Sequence, residues 1–273
     1  MNSRFLTGLL AAALLAACTQ NPAAESSANV VAPAPAAEPA AAAPPPAEPV
    51  AAVPGEEPPS KSETALEQLA QLPAQDRLPA GQWKPGVNYK PLVPAQPTSL
   101  SSGKVEIVEV FWYGCNHCYS LDPFLESWKK NKPAYVEFVR VPVMWGPIHK
   151  AHAKFFYTLQ ALGRDKDLHS KVFDTIHRTG NGLAGEDDAA SFKTQLAFVK
   201  ANGVSEADFT KAYNSFGVAT SMQRATQLTR SYQVEGVPLM VVNGKYITDV
   251  GMAGGHSKLL ELLNSLAAAE KRR

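Results

Sequence analysis

The sequence predicts an α/β domain whose strands fall into two groups separated by a long helical segment. Three observations lead there. A run of β-branched and aromatic residues, Lys104 to Tyr113, passes at once into a helical pattern. Between Ile148 and Tyr232, apolar residues recur at helical spacing, broken by helix-stop and helix-start signals. Beyond that stretch, Asn243-Gly244 separates two short apolar runs, the spacing of a β-hairpin.

The first residues read as an export signal. Arg4 supplies a positive start, and Phe5 to Leu15 form an apolar stretch of signal-peptide length. Leu15-Ala16-Ala17-Cys18 then resembles the lipobox of bacterial lipoproteins, which makes residues 1–17 a signal peptide and Cys18 the lipidated first residue of the mature chain. Several acyl chains, at about 0.8 kcal/mol per buried methylene, would anchor it to a membrane. A plain secretory signal with an incidental Cys18 is the alternative. No later stretch approaches the ~20 consecutive apolar residues of a spanning helix.

Residues 18–59 follow as a lipidated N-terminus and tether. From residue 19 they hold eleven of the 22 prolines, much alanine, five glutamates and no aromatic or basic residue. Such a composition buries too little apolar surface to fold. Extended at about 3.1 Å per residue, it would reach on the order of 100 Å. Residues 60–81 are a linker with a short amphipathic helix, Ser60 to Leu72, carrying Leu66, Leu69 and Leu72 on one side.

The folded unit is expected over residues 82–273, anchored at its start by Trp83, Val87 and Tyr89. Lys104–Tyr113 is apolar on both faces apart from its glutamates, as a central strand should be. The following helix runs to about Lys132, with Leu121, Phe124, Leu125 and Trp128 on its buried face. Tyr135–Met144 is a second strand. A helical insertion at about 147–232 comprises Ile148–Leu162, Asp165–Arg178, Asp188–Ala201, Ser205–Phe216 and Val218–Tyr232. Gly163 and Gly203 stand just past helix ends, and Ser205-Glu206-Ala207-Asp208 resembles a capping box. Leu239–Val242, Asn243-Gly244 and Lys245–Thr248 make the hairpin, and Ser257–Glu270 the last helix. Strand, helix, strand, hairpin, helix is the order of a thioredoxin fold, here with a helical insertion between its halves.

A chain of 273 residues with a formal charge of +1 and no basic run gives no electrostatic case for nucleic acid. Its three cysteines are more telling. With Cys18 assigned to lipid, Cys115 and Cys118 form an isolated pair in a compartment where disulfides persist, which points to chemistry rather than stapling. The motif is Cys115-Asn116-His117-Cys118. Cys115 lies where the strand ends and the helix begins, and unpaired N–H groups there favour a thiolate, the reactive form. His117 can add a hydrogen bond or a positive charge, and Cys118 stands on the helix as resolving thiol. Half of a zinc site has the same spacing, but no second cysteine pair completes it and His117 is poorly placed as a ligand, so no metal is expected.

Pro238, in Gly236-Val237-Pro238, precedes a strand, where proline belongs at the first residue or an edge; it is either an ordinary trans proline or a cis one facing the motif. Glu109 lies inside an apolar strand. Buried, it would have a raised pKa and could pass protons to or from Cys118, with Arg140 on the next strand as a candidate counter-charge; alternatively the strand has one wet edge, as Glu106 would indicate. His149, His152, His169 and His177 fall in the insertion at spacings that place most of them on solvated faces. Trp112, Tyr113 and Tyr119 are expected in the core, with groove lining second.

Two blocks, Glu109-Val110-Phe111-Trp112-Tyr113-Gly114-Cys115-Asn116-His117-Cys118-Tyr119 and Gly236-Val237-Pro238-Leu239-Met240-Val241-Val242-Asn243-Gly244-Lys245-Tyr246, resemble the DsbA family of bacterial disulfide oxidases. The likeness runs from about Gln82 to the end. It implies that Cys115 attacks and Cys118 resolves, that Val237 and a cis Pro238 hold substrate, and that Glu109 is the family's buried acid. It implies no cofactor beyond the Cys115–Cys118 disulfide, reduced exported proteins as substrates, and a quinone-linked membrane reoxidase of the DsbB type. Isomerases of the same fold carry a folded N-terminal dimerisation domain; the tether is no substitute for one, so a periplasm-facing monomer is expected. A reductase or isomerase remains the near alternative, and a tethered metal-binding or chaperone module the distant one. The chain departs from the family at Asn116, where the best-known members carry proline, and the dipeptide between the cysteines tunes the potential.

Overall fold

In the computed structural model, residues 82–98 and 103–272 are described. The expected signal peptide, lipidated Cys18, tether and linker helix lie outside the described residues. At the centre is β2 (Val105–Phe111), whose seven residues are all buried. Its β-branched and aromatic content suits a strand covered on both faces. To one side it pairs in parallel with β3 (Val136–Pro142), in a register that sets Glu109 opposite Arg140. To the other it pairs antiparallel with β4 (Leu239–Val242), which pairs with β5 (Tyr246–Thr248); the two-residue β1 (Lys90–Pro91) closes the β5 edge. The five-stranded order is thus β1-β5-β4-β2-β3. This is the thioredoxin-like α/β arrangement expected. Asn243 and Gly244 both have positive φ, 51° and 65°, as the type I′ hairpin turn requires.

Helix α1 (Asn116–Asn131) leaves the end of β2, and α2 (Pro147–Ala161), α3 (Asp165–Thr179), α4 (Asp188–Ala201), α5 (Glu206–Tyr213) and α6 (Phe216–Ser231) make up the inserted segment. A single turn, α7 (Val250–Ala253), and α8 (His256–Lys271) close the chain. The core is divided by the sheet. Ile107, Leu121, Leu125 and Met240 meet Leu259, Leu262, Leu263 and Leu266 on the α1–α8 side. Val108, Val110 and Phe111 meet Phe155, Phe156, Phe173 and Phe209 of the insertion on the other. Ser205 Oγ accepts the Asp208 N–H at 3.1 Å at the start of α5, the expected cap.

Several expectations change. The boundary between α5 and α6 falls at Asn214-Ser215 rather than at Gly217, because Ser215 Oγ accepts the Val218 N–H and caps α6. Phe124 is 39 % exposed, not buried with Leu121 and Leu125; its ring stacks on His256 at 4.7 Å. Val87 is exposed, so of the three expected anchors Trp83 and Tyr89 hold the start, Trp83 through Nε1 donating to Ser265 Oγ at 3.1 Å. The short α7 and β1 carry no periodic pattern long enough to read.

Candidate active site

Cys115 is the N-cap of α1, in extended backbone (φ −88°, ψ 119°). A turn in which its N–H donates to the Trp112 carbonyl at 3.0 Å delivers it there. Gly114 is required in that turn: a Cβ would lie 2.4 Å from the Trp112 ring, which folds over it. Cys115 is half-buried while Cys118, one turn into the helix, is fully buried, and both are free thiols here.

The two sulfurs are driven apart in acidity. A hydrogen bond from the Cys118 thiol lowers the Cys115 pKa to about 6, against the opposing effect of burial and with help from the backbone N–H groups of Cys118 and His117 and the His117 charge. Burial pushes the Cys118 thiol far up, assisted by its hydrogen bond to Cys115 and the negative field of Glu109. The expected helix-start contribution is therefore present, but the Cys118 thiol outweighs it.

Beneath Cys118 lies a buried ionic cluster. Arg140 Nε donates to Glu109 Oε2 at 2.7 Å, Nη1 to Glu126 Oε1 at 2.8 Å and Nη2 to Asp122 Oδ1 at 3.0 Å. Ser170 Oγ donates to Asp122 Oδ2 at 2.6 Å. Burial raises the Glu109 pKa although Arg140 pulls it down, and Oε1 is buried without a hydrogen-bond partner among the described residues. Glu106 is 3 % and Glu109 1 % exposed, so β2 has no wet edge. The Tyr113 hydroxyl and His169 Nδ1 are 2.9 Å apart on the insertion side of the cluster.

The Val237–Pro238 bond is cis. The Cys115 thiol donates to the Val237 carbonyl at 3.4 Å, which brings the two sequence blocks together across the site. His117 is exposed on the rim, beside a groove of about 580 Å³ lined by Val237, Pro238, Leu239, Met252 and His256. The insertion histidines are a correction: two are buried and two half-buried, so most are not on solvated faces. His152 and His169 are buried, their pKa values lowered by burial to about 4, and each holds a polar partner, His152 through Nε2 at 2.7 Å from the Gly182 carbonyl. His149 is half-buried against Trp112, the rings stacked at 4.3 Å. His177 is half-buried beside the motif itself, with Nδ1 2.9 Å from Asn116 Oδ1. Among the described residues no group of three or more His, Cys, Asp or Glu is arranged to hold a metal ion, and no helix is long and apolar enough to cross a membrane.

Sequence reasoning missed Asp122, Glu126, His169 and His177. For the first two a signal existed: Cys118, Asp122 and Glu126 follow at intervals of four, which places both acids on the Cys118 face of the helix.

The chain has relatives among known proteins. Residues 137–267 match the family described as a DSBA-like thioredoxin domain. The thiol:disulfide interchange protein DsbA of Pseudomonas aeruginosa is 40 % identical over 192 residues, 70 % of this chain and 88 % of that protein. The chain belongs to the DsbA family. Azotobacter vinelandii DsbA is 41 % identical over 169 residues, 62 % of this chain and 76 % of the relative. The crystal structure of P. aeruginosa DsbA superposes with a TM-score of 0.63 at 40 % identity, covering 68 % of this chain and 94 % of that one. The oxidoreductase DsbA of Xylella fastidiosa gives 0.63 at 25 % identity, covering 72 % and 100 %. This DsbA-family member is a thiol:disulfide oxidoreductase.

Proposed function

We propose that the chain works as an oxidase, giving its Cys115–Cys118 disulfide to reduced exported proteins. One observation carries the direction: the opposite acidity of the two thiols, Cys115 lowered to about 6 and Cys118 raised. A stabilised Cys115 thiolate favours the reduced form, which makes the disulfide a strong oxidant. A substrate thiolate attacks Cys115 Sγ, the Cys115–Cys118 bond breaks, and Cys118 leaves with the electron pair. Cys118 is too buried to stay charged and takes a proton, which Glu109, its pKa raised by burial, relays to it. A second substrate thiolate then attacks the substrate sulfur of the mixed disulfide and expels Cys115 as a thiolate. Two substrate thiols become one disulfide, and the protein disulfide becomes two cysteines. Val237 and Pro238 form the backbone platform for the substrate, and His117 supports the Cys115 thiolate.

Reoxidation falls to a quinone-linked membrane partner of the DsbB type. Residues 1–17 are a lipoprotein signal peptide and Cys18 the lipidated end of a tether that holds the monomeric domain at a membrane, facing the periplasm. The supports are the lipobox-like Leu15-Ala16-Ala17-Cys18 and the proline-rich composition after it.

Equilibration with glutathione redox buffers tests the direction. A value near the about −120 mV characteristic of DsbA supports an oxidase, and one near the about −270 mV of thioredoxin overturns it in favour of a reductase. For the anchor, Cys18→Ser should move the protein from the membrane to the soluble fraction; an unchanged distribution would refute lipidation.

A further inference from the structure

We propose that His177 is a positioning residue for the redox pair: by gripping Tyr113 and Asn116 on either side of Cys115, it lets the helical insertion set how strongly the disulfide oxidises. The inference rests on the oxidoreductase reading of Cys115 and Cys118.

His177 lies in the last turn of α3, just before the left-handed Gly180 that ends the helix. Its Nε2 is 2.7 Å from the Tyr113 carbonyl oxygen and its Nδ1 is 2.9 Å from Asn116 Oδ1. Its ring lies flat on Tyr119, centroids 4.6 Å apart and planes within 4°. The Tyr119 hydroxyl donates back to Asp174 Oδ1, on the same helix, at 2.9 Å. One imidazole from the insertion thus touches residues 113, 116 and 119, before, inside and after the motif.

The chemistry of the partners narrows what the ring does. A backbone carbonyl only accepts, so Nε2 carries the hydrogen that it donates to Tyr113. The Asn116 amide presents either face: its NH₂ donates to Nδ1 of a neutral ring, or its oxygen accepts from an imidazolium. Both contacts therefore persist in either charge state. A proline at position 116 offers neither group, so this grip depends on the residue by which the chain departs from the familiar dipeptide.

The consequence reaches the sulfur through geometry. The donors that hold the Cys115 thiolate are the N–H groups of His117 and Cys118 and the Cys118 thiol, all within the turn that His177 brackets. Releasing either grip lets that turn drift, weakens those donors and disfavours the reduced form, leaving a weaker oxidant.

Three variants of the full chain test this: His177→Phe, which keeps a ring to stack on Tyr119 but removes both nitrogens, Asn116→Ala, and the double variant. Each is equilibrated with glutathione, and Cys115 is titrated by thiolate absorbance. Each single variant is expected to lower the constant favouring the reduced protein by about 2- to 10-fold, the range of one net hydrogen bond, and to raise the thiolate midpoint. His177→Phe should show the larger effect because it also frees the Tyr113 carbonyl, and the double variant should match it, since coupled residues are non-additive. Unchanged constants, or two shifts that simply add, overturn the proposal. Should His177→Phe not fold, Asn116→Ala decides alone, because Asn116 is exposed: an unaltered constant overturns the inference. Failure of the unaltered protein to exchange with glutathione at all would instead remove the oxidoreductase reading beneath it.

Discussion

At the rim of the site, Cys115 is half-buried at the head of α1, with backbone N–H groups and a neighbouring thiol turned toward it, and its pKa falls to about 6. One turn down, Cys118 sits fully buried above Glu109 and the Arg140 cluster, and its thiol is pushed up. Both residues share one helix and one side-chain chemistry. The difference lies in what each is given to face: donors and partial solvent at the rim, a closed floor already holding negative charge below. Each environment also strengthens the other, because a Cys118 that keeps its proton has a hydrogen to offer the Cys115 thiolate. The asymmetry is a property of the pair, as is usual for strongly interacting sites.

The most severe way to break the comparison is Cys118→Ala. Turnover should disappear and mixed disulfides on Cys115 should accumulate on non-reducing gels. The Cys115 midpoint should climb from about 6 toward the ordinary thiol value of ~8.5, since the leading cause of its depression is gone. A midpoint that stays near 6 would assign the effect to the helix start instead.

Arg140→Met attacks the floor. It strands buried Glu109 and Asp122, and removing one partner of a buried ion pair costs about 3–5 kcal/mol, measurable by urea unfolding at neutral pH. The loss should shrink in acid, because the stranded carboxylates take up protons and shed their charge. Replacement without loss would show that the cluster is already neutral.

A milder probe compares the two redox forms across pH. The reduced protein has a Cys115 pKa below the unfolded value of ~8.5. The unfolded chain therefore binds more protons between about 6 and ~8.5, and stability in the reduced form rises with pH across that window. The contribution is fully present above ~8.5 and lost as pH falls through about 6. The disulfide form lacks both thiol titrations, so between about 6 and ~8.5 the gap between the unfolding free energies of the two forms should widen with pH; above ~8.5 the raised Cys118 pKa acts in the opposite sense. A gap independent of pH would contradict the lowered pKa.

His117→Ala should have the smallest effect. Its charge is the last of the causes acting on Cys115 and stands at an exposed rim where solvent screens it. A midpoint shift below about one pH unit is expected, again by thiolate absorbance.

Much of this arrangement was legible beforehand, for identifiable reasons. Glu109 stood out because a carboxylate in the run Ile107-Val108-Glu109-Val110-Phe111 is too costly to bury idly. Arg140 could be named only as a candidate, because its place opposite Glu109 depends on the β2–β3 register, and the intervening helix hides that register from the chain. The hairpin was readable in full, since Asn243-Gly244 is a local signal. The histidines were not: helical spacing tells which side chains share a face but not what is laid over it, so His152 and His169 read as solvated until the aromatic core covered them. Gly217 drew the helix break two residues too far because the cap on Ser215 is the stronger determinant. His177 has no local signal at all; its partners lie on a different helix and in the loop before it.

The place of β2 in the sheet also constrains how the chain acquires its structure. On one side β2 meets β3, its neighbour in sequence apart from α1; on the other it meets β4, which follows only after β3 and five further helices. A chain emerging from its N-terminus delivers Cys115, Cys118 and half of the sheet well before Leu239–Val242 is available to complete it. Long-range pairing of this kind is slow, because the loop entropy is spent before the contact forms. Until the C-terminal hairpin docks, the strand leading to the reactive thiols has a bare edge, and a nascent copy is itself an unfinished chain with reduced cysteines.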